Sequence, residues 1–200
     1  MRQLTCCLLL PLLLLTAGCT VSTREVSPDE KVIYDEGYHF SDKKAIVAAM
    51  AESLLSKPPI VANRDRPVMI VYGIANRTSE HISTSAITDD IRQKLLESGK
   101  VRFVNRVQRD NIAKEAEYQY GGNVSAATRI QLARQVGAKY MLTGTLRSME
   151  KQQPRQVRIK KKTLQYYSLN MELTDIETGL IEWVDSVEVI RESSKPFIGW

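Results

Sequence analysis

Seven consecutive residues, Val68-Met69-Ile70-Val71-Tyr72-Gly73-Ile74, limit the fold of this chain more than any other stretch. The run lacks the alternation of apolar and polar side chains that marks a half-exposed strand, and it is rich in β-branched residues. It therefore predicts a strand lying centrally in a sheet, covered on both faces or nearly so. Its neighbours supply the cover. Ser41 can cap a helix running to Ser56, with Asp42 in the first turn and Ile46, Met50 and Leu54 on one face. Pro58-Pro59 stops it. A second helix from Ser83 to Glu97 carries Ile87, Ile91 and Leu95 and closes on Ser98-Gly99.

Beyond Gly99 the pattern gives a strand at Val101-Arg102-Phe103-Val104 and a weakly apolar helix from Arg109 to Tyr118. Gly121-Gly122-Asn123 and a helix capped by Ser125 and ended by Gly137 follow, then a strand from Tyr140 to Leu146. Two long segments, Gln156 to Thr174 and Leu180 to Glu188, flank a turn at Asp175-Ile176-Glu177-Thr178-Gly179. Strand and helix alternate first and strands meander last, which argues for an α/β (α+β) fold: one mixed sheet flanked by helices in a single globular domain.

The N-terminus reads differently. Arg2 precedes a leucine-rich core too short to span a bilayer, and Leu15-Thr16-Ala17-Gly18-Cys19 has the form of a lipoprotein-processing box. Residues 1–18 are expected to be a signal peptide and Cys19 the lipidated first residue of the mature chain. Cys6 and Cys7 would leave with the signal, so no disulfide framework and no thiolate metal site are expected. Residues 19–40 are polar and without apolar period, a flexible tether, and residues 41–200 form the globular domain. Fully extended, the chain from Cys19 to Ser41 reaches at most about 75 Å at about 3.4 Å per residue. As a flexible coil it spans about 26 Å.

The formal charge of +5 falls to +4 once Arg2 is removed, because the leader holds no acidic residue. That excess suits an acidic protein surface or the carboxylates of peptidoglycan, and no nucleic acid is expected outside the cytoplasm. Thr20 after the lipidated cysteine, where an aspartate would mark inner-membrane retention, favours the outer membrane, with the domain facing the periplasm.

Several features in order resemble the LpoB family of penicillin-binding protein activators. They are the box at Cys19, a strand leading into Asn76-Arg77-Thr78, and a helix closing on Ser98-Gly99-Lys100 before Val101-Arg102-Phe103-Val104. The segments Ala133-Arg134-Gln135-Val136-Gly137-Ala138-Lys139-Tyr140 and Thr178-Gly179-Leu180-Ile181-Glu182-Trp183 complete the set. The resemblance implies a small tethered domain on an outer-membrane lipoprotein that docks on a noncatalytic domain of a bifunctional penicillin-binding protein and stimulates peptidoglycan synthesis. The competing expectation is a lipoprotein subunit of an envelope assembly or secretion complex, which the short tether favours.

No catalytic constellation is visible, so the chain is not read as an enzyme, and no cofactor or metal is expected. His39 and His81 stand in polar surroundings without a spaced carboxylate pair. Gly121-Gly122-Asn123 follows a helix rather than a strand, which suits a turn better than a phosphate cradle. The main charge cluster is Arg155, Arg158, Lys160, Lys161 and Lys162, with Tyr166 and Tyr167 beyond it. It reads either as a solvated sheet edge or as a docking surface in which cations steer and a tyrosine anchors. Tyr166 and Tyr167 point to opposite faces of a strand, so at most one can be an anchor. Arg77 is the remaining candidate contact, and the Asn76-Arg77-Thr78 turn serves equally well as a strand end. Phe197, Ile198 and Trp200 fall in a tail that no pattern places.

Overall fold

A computed structural model describes residues 23–27, 29–118, 137–153 and 160–196. Cys19 and the leader, Gly121-Gly122-Asn123, the helix expected from Ser125, Arg155, Arg158 and the tail from Phe197 lie outside the described residues. The chain divides into two compact units, Met1–Glu30 and Lys31–Trp200. In the first, Arg24 pairs with Glu30 at 2.6 Å.

The second unit runs α1 (Phe40–Ser56), β1 (Val68–Arg77), α2 (Thr84–Glu97), β2 (Arg102–Phe103), α3 (Arg109–Tyr118), β3 (Tyr140–Gln152), β4 (Lys160–Asp175) and β5 (Ile181–Pro196). The strands form one mixed sheet in the order β2-β1-β3-β4-β5. β1 is parallel to both β2 and β3, whereas β3, β4 and β5 are successively antiparallel. The expected α+β architecture is therefore the observed one, a five-stranded mixed sheet with three helices among the described residues.

Details differ from the sequence reading for identifiable reasons. His39, not Ser41, caps α1, and the Asp42 carboxylate reaches back to accept the His39 backbone N–H at 2.9 Å. Lys57 is extended at φ −114° and ψ 159°, as a residue before proline must be, so the helix ends where Pro58 begins. β1 is internal, but β3 is the middle strand. The apolar run is not buried throughout either, because a bulge between Val71 and Gly73 breaks the pleat and Tyr72 is 53% exposed there. Gly73 holds φ at +96°, a conformation that side-chain-bearing residues rarely adopt.

One face of the sheet carries α1 and α2. Ile46, Met50 and Leu54 of α1 and Ile87, Ile91 and Leu95 of α2 meet Met69, Ile74, Leu142, Leu146, Leu169 and Leu173 in a single buried cluster. The periods of 3.6 and 2 thus converge on one interface. Gly144 lies within it, where a Cβ would come within 3.0 Å of Ile74 Cγ1 and Met171 Cγ, so only a glycine fits without repacking.

Toward the far end of β4 and β5 this face becomes polar. Asp42 of α1 is ion-paired with Arg191 of β5, both largely buried. Glu80, in the β1–α2 loop, accepts hydrogen bonds from the Tyr167 hydroxyl, from Gln165 Nε2 at 3.5 Å and from the Tyr38 backbone N–H at 3.5 Å. Tyr38 and Tyr167 meet edge to face with centroids 5.4 Å apart. Burial foremost, and for Tyr167 also its bond to Glu80, pushes both phenols well above the usual tyrosine range.

Asp185 of β5 ties α1 down a second time, accepting from Lys57 Nζ at 2.6 Å and from the Ser53 hydroxyl. The lysine first, then the serine and the Ser186 N–H, hold its carboxyl down at about 2. Its folded pKa lies below the unfolded value, so the stability it contributes is present at neutral pH and is lost as pH falls from about 4 through about 2. Asp185→Asn is expected to flatten that part of an acid-unfolding profile followed by circular dichroism, with a change of about 1 kcal/mol at pH 7 after allowance for solvent screening. An unchanged acid limb would remove the carboxylate from the account.

Candidate docking face

The opposite face of the sheet exposes a surface built by strand alternation and register. On β4 the residues pointing away from the helices include Lys162, Leu164 and Tyr166, on β3 Arg147, Met149 and Lys151, and on β5 Glu188, Ile190 and Glu192. Register sets them in rows. Met149, Tyr166 and Ile190 lie side by side across three strands, and Lys151, Leu164 and Glu192 form the next row. Met149 is 65% and Ile190 63% exposed, so an apolar strip crosses the face with charges on its borders. The Tyr166 hydroxyl donates to Glu188 at 2.6 Å, and Lys162 pairs with Glu192 at 2.6 Å.

Arg77 reaches the same face by a different route. Asn76 Oδ1 accepts the Thr78 N–H at 2.9 Å while its Nδ2 donates to the carbonyls of Glu80 and Ile82. Asn76 and Thr78 are therefore turn-forming residues, and between them Arg77 is left exposed, in register with Arg147 of β3.

Of the sequence candidates, Arg77, Lys162 and Tyr166 are thus brought onto one face. Tyr167 is not among them: it is fully buried against Tyr38, which takes it off the candidate surface. Lys160 and Lys161 continue β4 opposite Pro196 and Lys195, and Arg158 lies outside the described residues. Sequence reasoning missed Arg147, Met149, Glu188 and Ile190. The signal was there in the period-2 pattern of Arg147 to Lys151 and of Glu188 to Glu192, but nothing in the sequence set β3 beside β1 in the right register.

Chemistry of other kinds finds little to build on. Among the described residues no group of three His, Cys, Asp or Glu could hold a metal ion. His39 is occupied in structure, its Nε2 lying 2.8 Å from the Asp35 carbonyl, and His81 is exposed. The cleft beside α2 contains Arg92 and Arg106, but Arg92 pairs with Asp89 at 2.8 Å and Arg106 stacks over the Tyr72 ring. No described helix is long and apolar enough to cross a membrane.

Among solved structures the chain is similar to the LpoB C-terminal domains from Salmonella enterica and from Escherichia coli. Each is 22% identical, with 74% of this chain and 98% of that chain covered and a TM-score of 0.46. It is also similar to lipoprotein GNA1162 from Neisseria meningitidis, at 16% identity, with 64% and 84% covered and a TM-score of 0.38. No curated protein matches the sequence. The profile described as "Peptidoglycan-synthase activator LpoB" matches residues 42–189, from the first turn of α1 to well into β5, and by that match the chain belongs to the LpoB family.

Proposed function

We propose that this protein is a lipid-anchored, noncatalytic activator of a bifunctional penicillin-binding protein. It is held at the outer membrane through Cys19, its domain faces the periplasm, and it docks through the sheet face that bears Tyr166. The observation that carries this reading is the family match over residues 42–189, nearly the whole globular unit. The face supports it chemically. It offers one half-buried tyrosine in an apolar strip for contact area, with Arg77 and Lys162 to steer an acidic partner.

The purified lipoprotein, added in detergent to the bifunctional penicillin-binding protein of the same cell, is expected to form a complex and to raise its glycan polymerisation rate. Tyr166→Ala is expected to weaken that complex about tenfold, mainly through a faster off-rate, whereas Lys162→Glu mainly slows association. Absence of both complex and stimulation with the wild type would refute the reading.

A second reading rests on the short stretch between Cys19 and α1, whose limited reach suits a subunit of an envelope assembly complex better than a regulator of an inner-membrane enzyme. That reading requires self-association or capture of an export or surface-structure complex from crosslinked envelopes, with no effect on peptidoglycan synthesis.

A further inference from the structure

Arg77 and Arg147 are Cα partners in the parallel β1–β3 register and both are exposed, so two guanidinium-bearing residues stand directly opposite one another on the open face. Like charges in that position repel and cost stability unless an anion lies between them. Elsewhere on this face Lys162 is paired with Glu192, and Glu188 is occupied by the Tyr166 hydroxyl. The arginine pair has no such match. Neither arginine meets a carboxylate side chain among the described residues. The stretches outside the described residues contain no Asp or Glu at all, so the chain has no other acidic side chain to offer them.

Position adds to charge. Along β3 the residue two places on from Arg147 is Met149, which opens the Met149–Tyr166–Ile190 row. A cationic pair therefore borders an exposed apolar strip, the arrangement of a charged clamp beside an aromatic anchor.

We propose that Arg77 and Arg147 together form a clamp for one acidic side chain, Asp or Glu, of the protein partner, set so that apolar residues flanking that acid lie on Met149, Tyr166 and Ile190. Two guanidinium forks can grip both oxygens of a single carboxylate, which a lysine pair cannot do with the same geometry. The inference rests on the docking reading above and assigns Arg147, together with Arg77, the recognition of charge on the partner.

The test measures association and dissociation of the full lipoprotein in detergent with the bifunctional penicillin-binding protein of the same cell, at low and at moderate salt. The variants are Arg77→Glu with Arg147→Glu, Arg77→Lys with Arg147→Lys, and, on the helix side, Lys100→Glu. The double reversal is expected to weaken the complex at least about tenfold and to flatten its salt dependence. The double lysine variant is expected to keep the salt dependence but to lose affinity through a faster off-rate, and Lys100→Glu to bind as wild type. Thermal midpoints of both arginine variants are expected to stay within a few degrees of the wild type, since each exchanges one exposed like-charged pair for another; a marked fall would mark the arginines as structural and overturn the clamp. Wild-type binding with a double reversal within twofold of it would also overturn the clamp while leaving the docking reading intact. Failure of the wild type to bind would overturn the docking reading and the clamp with it.

Discussion

Ile70→Asp is expected to leave the domain unfolded at room temperature. Ile70 is 5% exposed, on the internal strand β1, opposite Met141 of β3. The substitution gives up about 1.5–3 kcal/mol of apolar burial. It also places an ionised carboxylate where no partner is within the strand's own register, a cost of several kcal/mol more. Against a total stability of about 5–15 kcal/mol for a domain of this kind, the sum is decisive. Circular dichroism and a thermal scan would show it directly. The neighbouring Tyr72→Asp is the control: Tyr72 is lifted out by the bulge and half exposed, and its replacement should cost about 1 kcal/mol or less. Equal midpoints for the two variants would mean that the bulge does not separate them.

Arg191→Ala is expected to cost about 3–5 kcal/mol, because it strands a buried charge rather than merely removing a contact. Asp42 is 6% exposed at its side chain and Arg191 14%. Without the guanidinium, the Asp42 carboxylate keeps the His39 N–H but loses its cationic partner in the core. The double variant Asp42→Asn with Arg191→Met is expected to recover most of the loss, since it removes both charges and leaves comparable volume. Lys162→Ala provides the contrast: its pair with Glu192 has both side chains about half exposed, and its loss should change stability by about 0.2–1 kcal/mol. Urea unfolding of the four proteins would separate these cases, and similar losses for Arg191→Ala and Lys162→Ala would contradict the role given to burial.

These two sites also show what the sequence could and could not convey. α1, α2 and β1 were legible because each repeats apolar residues at its own period over several turns or an unbroken run, and that signal survives without knowledge of neighbours. The outer part of β4 was not, because there the burial pattern runs against hydropathy: Thr163 and Gln165 are buried while Leu164 is 41% exposed. The cause is the polar layer of Asp42, Arg191 and Glu80, which accepts hydrogen-bonding side chains beneath α1. With that layer unknown, alternation said only that Tyr166 and Tyr167 part company, not which one turns inward. β5 ran beyond its expected end for the same reason, since Arg191 is an inward residue there. Arg77 was visible as a candidate but Arg147 was not, because their meeting depends on a parallel pairing between segments 70 residues apart in sequence.

Among the described residues β5 is the last strand of the sheet, and it runs for 16 residues with one side unpaired by any other described strand. So long a free edge invites a second molecule to add its own β5 and begin a stack. Ile190, the large apolar residue that stands out most near its middle, is where such a seam would start. An antiparallel seam centred there sets Glu188 of each molecule against Glu192 of the other, twice over, with like charges directly opposed. The same glutamates that hold Tyr166 and Lys162 in place thus also guard the strand against fibre-like growth, and replacing them with neutral residues would open the edge to aggregation.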